Sequence, residues 1–530
     1  MTKLPQMRFA IFMMAIVCWG TLFGQGTLQL LPGTEKVYAI QNGIHRLVGT
    51  VSFTYQGNTM YCDSAHYNEG GKEVRAYGNV HIQKSGINLY ADSIYYAEKQ
   101  KYAKLWGHVK ARDNAYKMSA DSMDYDAKRG RAIFRSSGKI ESILSDESIV
   151  CQRGYFYPGN GSFFFSGKVH YKKGKLDVKA DTLQFAYEQQ KLYFLGNAQL
   201  RNDTVQIYCQ KGWFHVQDEY GKLYKQAEVF HQQHLIKGDT LIFNTKKNDY
   251  EAFGKVFYKD TKENFALMGQ HALLSDTDHK GYMTGSVLGF KRLEQDTLYW
   301  TADTLYLLRD SLNNNKYIIA NQDFKFINKN LQGRSDYAQF ELKTQELLLE
   351  EQPILWTNTA ELKAQQAHVF LKDSSLQKIQ LTDKASILME LETDSLYNQL
   401  AARELNAYFD STGQLNFVEA LGQAWTIFYP ETQKQLNDST LQIQREGLNR
   451  LYSEYLEISI AGKEIVGITY FEQPEGIFFP MDQIDQKERL IKNFSWNPNL
   501  RPLKVSDLRN NTATKGGKEN KESKESKIKN

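Results

Sequence analysis

Proline is scarce in this chain of 530 residues. There are nine, none between Pro158 and Pro353, and five fall between residues 430 and 502. Proline cannot donate to a β ladder, so a long stretch without it suits central, paired strands. Long apolar runs are missing except for one at the N-terminus, which excludes a bundle of transmembrane helices. Net charge is only +4, too little over this length to argue for nucleic acid. Aromatic residues, by contrast, are abundant at 13%, with 32 Tyr and 29 Phe, a bias toward strand. With 41% hydrophobic residues, most of the chain can form a core rather than stay disordered.

The one apolar run, Phe9 to Trp19, follows Lys3 and Arg8 and precedes Gly20, Gly24 and Gly26. A basic start, an apolar stretch and a small-residue exit read as a secretory signal peptide over residues 1–25, with cleavage near Gly24–Gly26. The competing reading is an uncleaved membrane anchor. Cys18 lies in this segment, but Ile16-Val17 before it fits a lipoprotein signal poorly. The mature chain then holds three cysteines, Cys62, Cys151 and Cys209.

The sequence repeats itself. Gly49, Gly78, Gly107, Gly138, Gly167 and Gly196 are spaced by 29, 29, 31, 29 and 29 residues. Two past each glycine stands Val51, Val80, Val109, Ile140, Val169 or Ala198, and eighteen past stands Tyr67, Tyr96, Tyr125, Phe156, Phe185 or Phe214. Fourteen past, four copies carry Asp: Asp63, Asp92, Asp121 and Asp181. Gly254-Lys-Val-Phe-Tyr and Ala302-Asp303-Thr304 look like later copies, and the texture persists to about residue 480. Within a unit, apolar and polar residues alternate, as in Val80 and Ile82, Leu89 and Ala91, Ile94 and Tyr96. That period of two means strands. Each unit reads as about four short strands, too thin to bury a core alone, so units must stack, strand against equivalent strand, about 4.8 Å apart. The fold class expected is all-β, an elongated repetitive jelly-roll or folded sheet of stacked units of about 29 residues, capped at the C-terminus. Cys62, Cys151 and Cys209 occupy the position held by alanine in other copies, so each is expected to be a small buried residue outside any disulfide.

Chemistry-bearing patterns are few. Stacked aspartates could hold Ca²⁺. The alternative, favoured by the flanking Ser or Thr, is a structural corner where each carboxylate accepts hydrogen bonds from turn amides. The histidines are scattered. His231 and His234, three apart in a strand, would face opposite sides and read as solvated. No phosphate loop, nucleophile elbow or zinc-helix motif is present. No catalytic residue, metal or cofactor is expected, and the reading is non-enzymatic. Residues 481–505, with Phe494-Ser-Trp-Asn-Pro498 and Arg501-Pro502, read as a cap for the last strand edge, and 506–530 as a disordered Lys/Glu-rich tail.

The recurring Gly-x-Val-x-Ile/Phe followed by Ala-Asp-Ser/Thr-Leu/Ile/Met-x-Tyr/Phe resembles the OstA-like domain of periplasmic lipopolysaccharide transport, shared by the bridge protein LptA and the N-terminal part of the translocon LptD. Gly78-Asn-Val-His-Ile with Ala91-Asp92-Ser93-Ile94-Tyr95-Tyr96, and Gly167-Lys-Val-His-Tyr with Ala180-Asp181-Thr182-Leu183, carry the likeness. It is best within 26–260 and looser over 261–480, and the layout is similar to long OstA-like proteins of the Bacteroidetes type. The resemblance implies a jelly-roll whose apolar interior carries acyl chains. Val51, Phe53, Tyr67, Val80, Ile82, Tyr96, Val109, Tyr125, Val169 and Phe185 would line it. Implied partners are lipopolysaccharide or another acylated lipid, other jelly-roll transport components and the outer-membrane translocon, without nucleic acid. End-to-end self-association is left open. The implied location is the periplasm, with association with the outer membrane left open. The chain is too short to add a large outer-membrane barrel to these repeats. Two alternatives stand beside this reading: an exported β-solenoid that binds or processes polysaccharide, and a closed structural spacer.

Overall fold

A computed structural model describes residues 28–508, except 56–57, 85–86, 113, 127, 158–161, 187, 294–295, 373–374, 393–395, 438–439, 463 and 493. The expected signal peptide and residues 509–530 of the expected tail lie outside the described residues. Among the described residues, strands dominate, and the helices are short 3-10 turns. The chain divides into two compact units, Met1–Met283 and Thr284–Asn530.

Unit 1 is an antiparallel meander in which each strand pairs with its neighbours in sequence. Ile44–Tyr55, Asn58–Asn68, Glu73–Lys84, Ile87–Ala97, Tyr102–Arg112 and Tyr116–Asp126 follow one another in this way. One 29-residue unit is therefore two long strands rather than four short ones, and equivalent strands of successive units lie two places apart. The break that suggested four strands is a β-bulge. In Glu73–Lys84 the register shifts between Tyr77 and Val80, so that Gly78 and Asn79 together oppose Asp92 alone. Both bulge residues have positive φ, 73° and 45°. Glycine takes that conformation without a steric penalty, whereas asparagine is among the few other residues that tolerate it. Gly107-His108, Gly167-Lys168 and Gly254-Lys255 repeat the device. Elsewhere the bend interrupts the ladder and a long strand reads as two, as in Lys191–Phe194 and Ala198–Arg201.

The bulge also turns the sheet. In Ile87–Ala97 the buried residues are Ile87, Leu89 and Ala91, then Ile94 and Tyr96, so inward-facing parity slips between Ala91 and Ile94. Asp92 and Ser93 both point outward, as happens where a chain rounds a bend while keeping one face inside. The same slip separates Cys62 from Ala65 and Ala120 from Met123. Each long strand thus contributes an arm on either side of the bend, and both arms bury a common interior. Across it Tyr55 meets Tyr96 at 5.8 Å between ring centroids, Tyr171 meets Phe185 at 6.1 Å, and His231 meets Tyr250 at 5.6 Å. Each Val, Leu, Ile or Phe held fully inside stabilises the sheet by roughly 1.5–3 kcal/mol over leaving it exposed.

Unit 2 continues the scheme, with long strands such as Thr297–Arg309, Asn315–Ile327, Ser375–Glu392, Leu396–Phe409, Leu415–Phe428 and Gly447–Ala461. Paired positive-φ residues mark its bulges at Gln322-Asp323, Asp383-Lys384 and Gly422-Gln423. The terminal edge is formed by Glu464–Phe471 and Glu475–Pro480 against Gly447–Ala461. Residues 481–508 then turn back and run across the strands of the same unit. Ile484 packs with Leu396, Ile427, Tyr429 and Leu448. Gln399 bonds the Arg489 carbonyl at 2.7 Å and the Ile491 amide at 2.9 Å. Phe494 and Trp496 pack on Tyr397. The Asn497 amide donates to Glu361, and Arg501 to Gln332. Last, Val505–Leu508 forms a 3-10 turn with Leu508 buried, against Thr297–Arg309 and Asn315–Ile327. Residues expected to cap one edge act instead as a strap across many strands.

Candidate functional site

The interior of unit 1 is the site that the repeat builds. Alternation on each arm, kept in phase around the bend by the bulge, sends one set of side chains inward from every strand. Val51, Phe53, Val80, Ile82, Tyr96, Val109, Tyr125, Val169 and Phe185 are all buried, none more than 7% exposed. Tyr67 is only half-buried and stacks on His45. The structure therefore brings nine of the ten expected lining residues inside and leaves Tyr67 at the margin. Phe163, Phe165, Tyr171, Phe194, Phe214 and Phe243 extend the aromatic content of the same interior.

Hydroxyls at the mouth of the fold are managed by carboxylates. The Tyr55 hydroxyl, at the end of one arm, donates to Glu98 beyond the end of the other. Burial, with the Glu98 bond and charge added, pushes the Tyr55 phenol far above its usual range. Burial likewise pushes Tyr96 up to about 12, and the charges of Glu98 and Tyr125 add to it. Tyr67 is raised by burial first and then by Glu69 and Glu98. These phenols stay neutral, so they add no charge to the apolar seam.

Asp63, Asp92, Asp121 and Asp181 are exposed and lie within strands, at the bend rather than in turns. A Cβ added to Gly78 would stand 2.2 Å from Asp63 Oδ2, and one on Gly107 2.1 Å from Asp92 Oδ2. The carboxylates bond side chains that follow the glycines: Asn79 donates to Asp63 at 3.0 Å, Asn197 to Asp181 at 3.1 Å, and His108 Nδ1 lies 2.9 Å from Asp92. The turn amides expected as donors are replaced by these side chains, because the interruption is a bulge. Among the described residues, no group of three or more His, Cys, Asp or Glu is arranged to hold a metal ion.

Cys62, Cys151 and Cys209 are free and buried. Six and four strands separate them in turn, roughly 29 and 19 Å at the usual spacing. Burial raises each thiol to about 12.

A cluster of polar residues inside unit 1 departs from the repeat pattern. His231 and His234 are 1% and 0% exposed rather than solvated. They face each other across a two-residue hairpin turn, Gln232-Gln233, which puts both on one side. His234 Nδ1 is 2.8 Å from the Tyr258 hydroxyl and 3.8 Å from Asp260, while His231 lies 3.9 Å from Asp276. The signal was available: two polar residues between alternating apolar runs mark a tight hairpin. In unit 2 the counterpart is Glu361, fully buried, which accepts from Trp356 Nε1 at 2.9 Å and pairs with Lys363.

Two family models match parts of the chain. A family model described as OstA-like protein matches residues 34–181. A second, described as LptA/(LptD N-terminal domain) LPS transport protein, matches residues 155–249. No curated protein matches the chain. Among solved structures, the crystal structure of LptH, the LptA-homologous periplasmic component of the lipopolysaccharide transport device of Pseudomonas aeruginosa, aligns at 14% identity. It covers 19% of this chain and 76% of that one, with a TM-score of 0.18. The two family models together span residues 34–249, the strands that carry the Gly-x bulge, the Asp opposite it and the inward aromatic, and over that part the chain is similar to OstA-like lipopolysaccharide-transport proteins.

Proposed function

We propose that the interior of unit 1 is a conduit for the acyl chains of lipopolysaccharide in the periplasm, and that the chain works by binding and relay without catalysis. The observation that carries this is the apolar seam: equivalent positions of the repeated units, Val51, Val80, Val109 and Val169 with Tyr96, Tyr125 and Phe185, all turn inward. An apolar path stabilises a hydrocarbon chain by excluding water, at about 0.8 kcal/mol per buried methylene. Among the described residues the arms meet through ring contacts such as Tyr55–Tyr96 and Tyr171–Phe185, with polar links at Tyr55–Glu98 and His231–Asp276, so a lipid entering between them displaces few polar bonds. Strand addition would join this chain to partner jelly-rolls. Lys36–Ile40 offers such an edge, with Val37, Tyr38 and Ile40 exposed.

A photo-crosslinking amino acid at Tyr96 or Tyr125 should capture lipopolysaccharide in cells, whereas the exposed Lys104 position on the same arm should not. Capture from Lys104 alone would overturn the conduit. One observation favours a second reading, a closed spacer: nine of the expected lining residues are already packed against protein. The spacer predicts no capture from the interior and no lipid carried by the purified protein.

A further inference from the structure

The outer face of unit 1 holds a cleft of about 470 Å³ that the acyl-chain reading does not use. It lies on the arm that follows the bulge and spans neighbouring strands. His170, Lys179, Gln199 and Tyr208 stand side by side in one row, paired across consecutive strands. Four strands at the usual spacing span roughly 15 Å, the length of a short oligosaccharide. Lys168 and Asn197 project over the cleft from the bend, each the residue after a repeat glycine.

The chemistry of these groups is selective. Lys168 and Lys179 are exposed and form no ion pair with the described residues, whereas His170 is tied to Asp177 at 3.1 Å. The one carboxylate lining the cleft, Asp181, is occupied by the Asn197 amide at 3.1 Å. The two ammonium groups outnumber the single Asp181 carboxylate, so the lining carries a net positive charge that favours an anion, and the lysines bind it as point charges. Tyr208 is 41% exposed, and its hydroxyl accepts from the Gln199 amide at 3.1 Å and from Gln206, which fixes the ring. A fixed aromatic face takes the C–H face of a pyranose through its negative quadrupole. The Asn197 and Gln199 amides supply both donors and acceptors for sugar hydroxyls. The row continues along the same face through Lys139, Lys110 and the stacked rings of Tyr90, His81 and Tyr61. Its acidic member toward the other end, Glu228, is neutralised by Lys237 at 2.9 Å.

From this we infer that the outer cleft around Lys168, Lys179 and Tyr208 binds an anionic oligosaccharide, sugar rings bearing phosphate or carboxylate. The site is independent of the interior and stands whether or not acyl chains occupy it. The anionic sugar could come from a lipid-linked glycan or from a free acidic glycan, and deacylated material tests the shared chemistry.

Titration calorimetry on the full exported chain provides the test. The probe is phosphorylated oligosaccharide released from lipopolysaccharide by complete deacylation. It should bind, and the same material after phosphatase treatment should bind at least tenfold more weakly. Lys168→Ala with Lys179→Ala should weaken binding at least tenfold without shifting the melting temperature. Tyr208→Ala should weaken the oligosaccharide yet leave inorganic phosphate unchanged, and Lys222→Ala on the other arm should change nothing. If intact lipopolysaccharide binds and the deacylated probe does not, or if inorganic phosphate binds as well as the oligosaccharide, the cleft is not a saccharide site. Equal binding by wild type and the double lysine variant would overturn it too. Interior crosslinking is a separate readout, so failure here leaves the conduit untouched.

Discussion

At the scale of single residues, the repeat is a packing rule. An aspartate sits over a glycine fifteen residues later, and the space above that glycine is already full. Gly78→Ala places a methyl within 2.2 Å of Asp63 Oδ2 at φ +73°, so it should cost about 1–3 kcal/mol in a denaturant melt. Adding Asp63→Ala should recover the steric part and leave about 1 kcal/mol from the left-handed backbone. The cysteines give a pH prediction. Burial raises each thiol from the usual 9 to about 12. A group whose pKa rises on folding contributes stability that is complete below its unfolded value and is lost as pH climbs toward the folded one. Stability should therefore fall between about pH 9 and 12, and Cys62→Ala, Cys151→Ala and Cys209→Ala combined should flatten that slope in melts run across the range. In the native protein near pH 8, alkylating reagents should leave all three thiols unmodified. The offsets Gly to Val, Asp and Tyr were legible in the sequence because each position has one environment repeated many times. The left-handed conformation of Asn79 and His108 was not, since lysine takes the same place at Lys168 and Lys255 and no one residue type marks the bulge.

Elements show where local reading fails. A strand broken by a change of parity looks like two strands, and the sequence suggests four per unit. The ladder from Glu73 to Ala97 shows that the change of parity is not a turn, because hydrogen bonding resumes past Asp92. His231 and His234 fail for the complementary reason: three-residue spacing puts side chains on opposite faces within a strand, but on the same face across a hairpin. The strap 481–508 has no periodicity to read, because it follows the ends of other strands rather than a face of its own. Its central anchor is Glu361, which bonds Trp356 Nε1 and the Asn497 amide from full burial. Glu361→Ala strips Lys363 of its carboxylate partner and takes the acceptor from Trp356 Nε1 and from the Asn497 backbone and side-chain amides, so it should cost about 3 kcal/mol in unit 2. Hydrogen exchange should show the loss in Leu396–Phe409 and the strap, with Glu73–Ala97 unchanged.

At the scale of the whole molecule, each 29-residue unit touches mainly its neighbours, as in other repeat proteins. Removing Glu73 through Lys101 joins Lys72 to Tyr102 with strand direction and inward parity preserved. That deletion should keep the circular-dichroism signature of strand and a cooperative melt at a modestly lower temperature. Removing only Glu73–Lys84 reverses the direction of every later strand and should yield aggregated protein. Fold class was legible from the repeat because a single alternation governs so much of the chain. How tightly the interior closes was not, since the ring contacts across the arms join residues far apart in sequence, as in Tyr55 with Tyr96.

The strap has a bearing on how the protein is made. Ribosomes deliver residue 481 after every strand it crosses, so the meander can be laid down hairpin by hairpin while the fastening is still unmade. Unit 2 then completes itself in one late event, and a polypeptide cut short at Pro480 would own a full set of strands with nothing to lash them.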